Sequence, residues 1–207
     1  MESNLRSIFV IGDSISIHYG LYLKEMIKDK FNYDRKMGIK DALDNLERPI
    51  GANAGDSSMV LEYLTEENKK NVKYDILLIN CAMHDIRVDR NSLEKQVKEY
   101  EYKMNLSKII DIAKSMSNKV IWIATTPFNE VIHNSRKDGY LRYIKDLETY
   151  NKIAKEIIDN KNIEFIDLYS FTKNLGEDIY CDHVHFTEEV RRLQSAFISG
   201  YLYTLKV

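Results

Sequence analysis

Four runs of consecutive apolar residues constrain this chain more than any other feature. SIFVIG (7–12), YDILLINCA (74–82), KVIWIAT (119–125) and IEFIDL (163–168) are each about one strand long and rich in β-branched or aromatic side chains. Continuous runs of this length suit strands that are covered on both faces. RPIGA (48–52) reads as a weaker strand, second in chain order. Amphipathic stretches lie between them, and helices are expected over 16–30, 57–70, 92–116, 139–160 and 187–205. In 92–116, Leu93, Val97, Tyr100 and Met104 fall at spacings of four, three and four, which predicts an inward stripe. The corresponding stripes in the last two helices are Leu147, Tyr150, Ala154 and Ile157, and Val190, Leu193, Phe197 and Tyr201. Strand–helix alternation of this kind predicts an α/β fold with a parallel sheet between two helical layers. The charged, irregular segment 31–47 reads as a solvated connection. One domain is expected over 1–207, because there is no repeat, low-complexity tract or Pro-rich linker; Pro49 and Pro127 are the only prolines.

Composition narrows the partners. Thirty basic residues against 32 acidic give a net charge of −2, without the basic excess that a nucleic-acid backbone demands. No apolar stretch approaches the ~20 residues of a membrane span, and no basic amphipathic helix suggests docking on a bilayer. The N-terminus, MESNLRSIFVIGDS, lacks the pattern of a secretory signal, so a cytoplasmic protein is expected. Cys81 and Cys181 make neither a metal spacing nor a disulfide framework, and two reduced, buried thiols are expected.

In a parallel sheet, function gathers where strands end and chains turn into helices. The strand ends here are followed by Gly12-Asp13-Ser14, Asn53-Ala54-Gly55-Asp56-Ser57, Met83-His84-Asp85, Thr125-Thr126-Pro127 and, further on, Cys181-Asp182-His183-Val184-His185. Ser14 at such a turn is either a helix N-cap or an exposed hydroxyl nucleophile. A nucleophile needs a base, and the base needs an orienting group. Asp182 and His185, three residues apart, suit that pair, although a capping aspartate beside a surface histidine has the same spacing. His183 adds an Asp-His-x-His pattern, but no third ligand stands at suitable spacing, so no metal or cofactor is expected. An oxyanion would need donors, for which Ser14 N–H, Gly55 N–H and the His84 side chain are available. Gly55 reads equally well as a tight turn requiring positive φ.

Taken together, Gly12-Asp13-Ser14-Ile15, Gly55 within its block, Met83-His84-Asp85 and Asp182-x-x-His185 resemble the blocks of the SGNH (GDSL-type) serine hydrolases, in the family's order and across nearly the whole chain. The resemblance implies a three-layer α/β/α sandwich, flavodoxin-like, with five parallel strands in the order 2-1-3-4-5. It implies Ser14 as nucleophile, His185 as base and Asp182 as its orienter. It also implies an oxyanion hole made from Ser14 N–H, Gly55 N–H and the side chain of the third block. There are two departures. Ile15 replaces the leucine of GDSL, and His84 stands where the family usually has asparagine. Some similar proteins carry His-Asp there together with a Thr-Thr-Pro strand end, so His84 reads as a subgroup trait. A neutral imidazole can donate one N–H in place of the amide.

The implied chemistry is hydrolysis of a short acyl ester, acetyl first, on a small-molecule or carbohydrate alcohol. The alternatives are a thioesterase or lysophospholipase-like acylhydrolase, and a noncatalytic module that binds a small ligand. Asp13, Asp56, Asp85, Thr126 and Asn129 border the site turns and are candidate substrate contacts. Glu130, His133 and Arg136 follow the fourth strand and are pocket candidates or simply a polar loop.

Overall fold

Period-two alternation inside the apolar runs sorts the core into two halves. The computed structural model describes residues 5–205. Its strands are β1 (Arg6–Ile11), β2 (Phe31–Arg35), β3 (Tyr74–Ile79), β4 (Ser117–Ile123) and β5 (Glu164–Ile166). All neighbours pair in parallel, in the order β2-β1-β3-β4-β5. Ile8 and Val10, Ile76 and Leu78, Ile121 and Ile123 join one apolar cluster, while Ile11, Leu77, Ile79, Val120 and Trp122 join the other. Successive strand residues point to opposite faces, so a continuous apolar run supplies both cores at once.

Helices α1 (Ser14–Ile27) and α8 (Glu188–Thr204) supply side chains to the first cluster, with Tyr19, Leu23, Ile198 and Leu202 inward. Helices α3 (Ser57–Lys69), α4 (Glu99–Met116) and α6 (Ile144–Asn160) supply the second through Leu64, Tyr102, Leu106, Ile109, Leu147 and Tyr150. Short helices α2 (Ile39–Asp44), α5 (Glu130–Ser135) and α7 (Leu168–Lys173) lie in the connections.

Several expectations are corrected. The second strand is Phe31–Arg35, inside the segment read as a solvated connection, and not RPIGA. FNYDR occupies a sheet edge and alternates buried Phe31 and Arg35 with exposed Asn32 and Asp34, so it lacks a continuous apolar run. RPIGA contains Pro49, which has no N–H to donate, and Gly51 at φ +55°; only Asn53 beyond it bridges to Gly12.

Helix α4 begins at Glu99, not at residue 92. Leu93 sits at φ +57°, and the segment before the helix is pinned by antiparallel bridges from Val88 to Lys95 and Leu141. Of the expected stripe only Val97 is buried; Leu93, Tyr100 and Met104 are exposed. The buried stripe is Tyr102, Leu106, Ile109, Ile110, Ala113 and Met116. Helix α6 keeps its whole expected stripe, whereas α8 keeps Val190 but exposes Leu193 and Phe197 and half-buries Tyr201. The inner face of α8 includes Gln194, Ser195 and Ser199, small or bonded polar residues that an apolar-stripe rule passes over. Ser195 Oγ donates to Tyr19 O across to α1 at 2.7 Å. Cys81 is buried as expected, but Cys181 is exposed; both are free thiols.

Candidate active site

The order 2-1-3 places a change of winding direction between β1 and β3, and a crevice opens at the carboxyl ends of such a pair. Ser14 follows β1 there and His84 follows β3. Ser14 is the first residue of α1, where the helix provides no acceptor for its N–H. Asp13 caps the helix by accepting from Ile15 N at 3.0 Å, so the capping task falls to the aspartate and the serine hydroxyl is left free. That hydroxyl lies 2.8 Å from His185 Nε2.

His185 and Asp182 sit in a tight reversal in which Tyr180 pairs with Phe186 and Cys181 N donates to His185 O at 2.9 Å. Asp182 Oδ1 accepts the Val184 and His185 backbone N–H groups, each at 2.7 Å, and Oδ2 lies 2.6 Å from His185 Nδ1. Burial would raise the Asp182 carboxyl, but the ring and backbone hydrogen bonds outweigh it and hold the group well below the usual carboxylate range. Ser14, far off in the chain, joins His185 and Asp182 in one hydrogen-bonded line.

His84 is 3 % exposed, and its Nδ1 is buried without a partner. Burial pushes its basicity well down, helped by the guanidinium groups of Arg87 and Arg142, so the ring is neutral and carries one N–H to donate. Gly55 has φ +75°, and its N–H donates to Asn53 Oδ1 at 3.1 Å. A methyl at this position would meet Met59 Sδ at 2.5 Å and Pro49 Cβ at 2.8 Å. The turn reading of Gly55 therefore stands on its own geometry. Gly55→Ala is expected to lower stability by about 1–3 kcal/mol through strain, which urea or thermal unfolding will measure.

The profile of the family described as GDSL-like Lipase/Acylhydrolase matches residues 8–197. The chain belongs to that family. It is a carboxylic ester hydrolase by class. No curated protein sequence matches this acylhydrolase significantly. Among solved structures it resembles a lipase/acylhydrolase from Enterococcus faecalis, with TM-score 0.71 and 20 % identity over 96 % of this chain and 95 % of that one. It also resembles a variant of an acetyl xylan esterase from Geobacillus stearothermophilus, with TM-score 0.67 and 16 % identity over 98 % and 96 %. A carbohydrate acetylesterase from Sinorhizobium meliloti has TM-score 0.62 and 14 % identity over 97 % and 100 %. These likenesses confirm the fold.

Most of the candidate substrate contacts in this acylhydrolase are already engaged in holding the site together. Asp13 and Asn129 cap α1 and α5, and Asp56 caps α3 through Ser58 N and Met59 N. Asp85 is fully buried, and its carboxylate accepts Ser57 N at 2.9 and 3.1 Å; burial raises it to about 7. Each of these four thus has a framework task of its own at a helix end or at the Ser57 turn. Thr126 is different: its hydroxyl is buried without a partner. Glu130 accepts Ile144 N, and His133 lies 2.8 Å from His183 between their Nδ1 atoms.

Sequence reasoning missed several neighbours. His18, one turn after Ser14, meets His185 edge-on with ring centroids 5.1 Å apart, and burial lowers its basicity to about 3. Its spacing from Ser14 was a usable signal. Glu47 had none, yet it joins three loops: its carboxylate lies 3.2 Å from His183 Nε2 and 3.8 Å from Arg136, and Tyr140 OH donates to it. No helix among the described residues is long and apolar enough to cross a membrane.

Proposed function

We propose that the protein is a serine esterase that cleaves short acyl esters, acetyl in the first place, on small-molecule or carbohydrate alcohols. The observation that carries this reading is the continuous line from Ser14 Oγ through His185 to Asp182, at 2.8 and 2.6 Å. Ser14 Oγ attacks the ester carbonyl as His185 Nε2 takes its proton. His185 then protonates the leaving alcohol, and water activated by the same nitrogen releases the acid. Asp182 holds Nδ1–H and stabilises the imidazolium. Ser14 N–H and the neutral His84 ring donate to the oxyanion; Gly55 N–H is a third donor, shared with Asn53.

The small exposure of the reacting groups favours a short acyl group, since Ser14 is 5 % exposed and His185 and His84 are each 3 % exposed. Two solved structures with this fold are described as an acetyl xylan esterase and a carbohydrate acetylesterase, which favours an acetylated saccharide.

The test is a panel of p-nitrophenyl esters of rising acyl length, run beside labelling with a fluorophosphonate probe. Acetate should be turned over best, and the probe should label Ser14. A chain that resists the probe and hydrolyses none of the esters sinks the esterase reading and leaves a binding module. His84→Ala is expected to lower kcat about 10²–10³-fold, as loss of one oxyanion donor does elsewhere, with KM for the acetate ester little changed.

A further inference from the structure

Arg142 is a buried cation beside the site without a direct salt bridge. It is 2 % exposed, and no carboxylate among the described residues pairs with it. It reaches the Glu47 carboxylate through Tyr140 OH, which accepts from Arg142 and donates to Glu47, while Glu47 also faces Arg87, Arg136 and His183. Arg142 is nevertheless held firmly. Asn134 brackets its backbone, accepting Arg142 N at 3.0 Å and donating to Arg142 O at 2.7 Å. Its guanidinium stacks 4.8 Å from the Tyr140 ring centre, and one terminal nitrogen donates to Tyr140 OH at 3.3 Å. Its Nε donates to Met83 O at 2.9 Å, one peptide before His84. The remaining nitrogen is buried without a partner.

A buried cation without a direct salt bridge is costly to keep, and a spare buried donor adds to the cost. Such a group is useful where a negative charge appears only in passing. That place is at hand. Arg142 grips the turn that carries His84, and its field reaches both His84 and Asp13, the neighbour of Ser14. His84 itself has no partner on Nδ1 to fix its ring, so the backbone of its turn must do so.

We propose that Arg142 is a positioning residue for the oxyanion: it fixes the Met83–His84 turn through Met83 O and adds a preorganised positive charge that favours the oxyanion formed on the ester carbonyl. This rests on the triad reading above. A fixed charge beside a developing charge needs no reorganisation when the reaction occurs.

The experiment compares wild type, Arg142→Gln and Arg142→Lys on p-nitrophenyl acetate and on the anionic mono-p-nitrophenyl succinate, with phenylboronic acid as a probe that becomes a negatively charged tetrahedral adduct on Ser14. Circular dichroism and the thermal midpoint check the fold. Arg142→Gln should lower kcat about tenfold or more on both esters, with KM within about twofold, and should weaken the boronate by the same factor. Arg142→Lys, which keeps the charge but not the grip on Met83 O, should fall between the two. If the glutamine variant does not fold, the lysine variant carries the test: its kcat and boronate affinity must fall together. A folded variant with unchanged kcat overturns the proposal. So does a loss confined to the succinate ester, which would make Arg142 a specificity site, or a loss of kcat that leaves boronate affinity untouched. Wild type that neither hydrolyses the acetate nor takes the fluorophosphonate overturns the triad reading, and this proposal with it.

Discussion

Ser14→Ala is expected to lower kcat for p-nitrophenyl acetate by about 10⁴–10⁶-fold while the chain folds as before. The size follows from the geometry. Removing Oγ removes the hydroxyl placed on His185 Nε2, at 2.8 Å, and with it the covalent route. The oxyanion donors remain, so residual hydrolysis above that of water is expected from the site's polarity alone. Stability should change little, because helix capping belongs to Asp13 and not to the serine. Steady-state kinetics, with circular dichroism on the same sample, checks both statements. A variant that keeps a tenth or more of the wild-type rate would mean that another group attacks the ester.

The same local physics explains why so much of the site was legible in the sequence. Ser14, Gly55 and His84 lie at the ends of β1, of the segment bridging to it, and of β3, and Asp182 and His185 lie within one tight reversal. Each is fixed by local chain geometry, and the parallel order brings them to one edge. Where position depends on distant partners, the sequence is silent. Arg142 owes its place to Met83, and Glu47 to Tyr140 and His183, all far off in the chain, and nothing in their own neighbourhoods marks the site.

The fold shows the same division. Continuous apolar runs reveal the central strands β1, β3 and β4, which are covered on both faces, and also the short edge strand β5. Edge strand β2 escapes because half of it meets solvent. Periodicity located the inward face of α6, an apolar stripe, and misplaced that of α4, where the pattern was counted from residues that are not helical. On α8 the face toward the core is partly hydroxyl and amide: Gln194 donates to Thr172 Oγ1 at 3.1 Å, and Ser195 closes on α1. Apolar Phe197 turns outward to stack on Phe171 with ring centres 4.2 Å apart.

Asp182→Asn should have the second largest effect, lowering kcat by about 10⁴-fold with KM nearly unchanged. The two backbone N–H groups of Val184 and His185 both point at Oδ1, so they will hold the amide oxygen of an asparagine there. The amide NH2 then takes the place of Oδ2, facing His185 Nδ1 at the present 2.6 Å contact. A donor there leaves Nδ1 as the acceptor and puts the ring proton on Nε2, where it faces Ser14 and can no longer receive the hydroxyl proton. The variant thus keeps its shape and loses its base. Stability gives a second check. Hydrogen bonding holds the Asp182 carboxyl below its unfolded value, so its contribution is complete above pH ~3.9 and is lost as pH falls through the lower folded value. The wild type should therefore exceed the variant in thermal midpoint at neutral pH, by a small margin because the side chain is 43 % exposed, and the gap should close in strong acid. If Asp182→Asn keeps a tenth of the wild-type activity, Asp182 is a structural cap of the reversal, and His185 is oriented by something else.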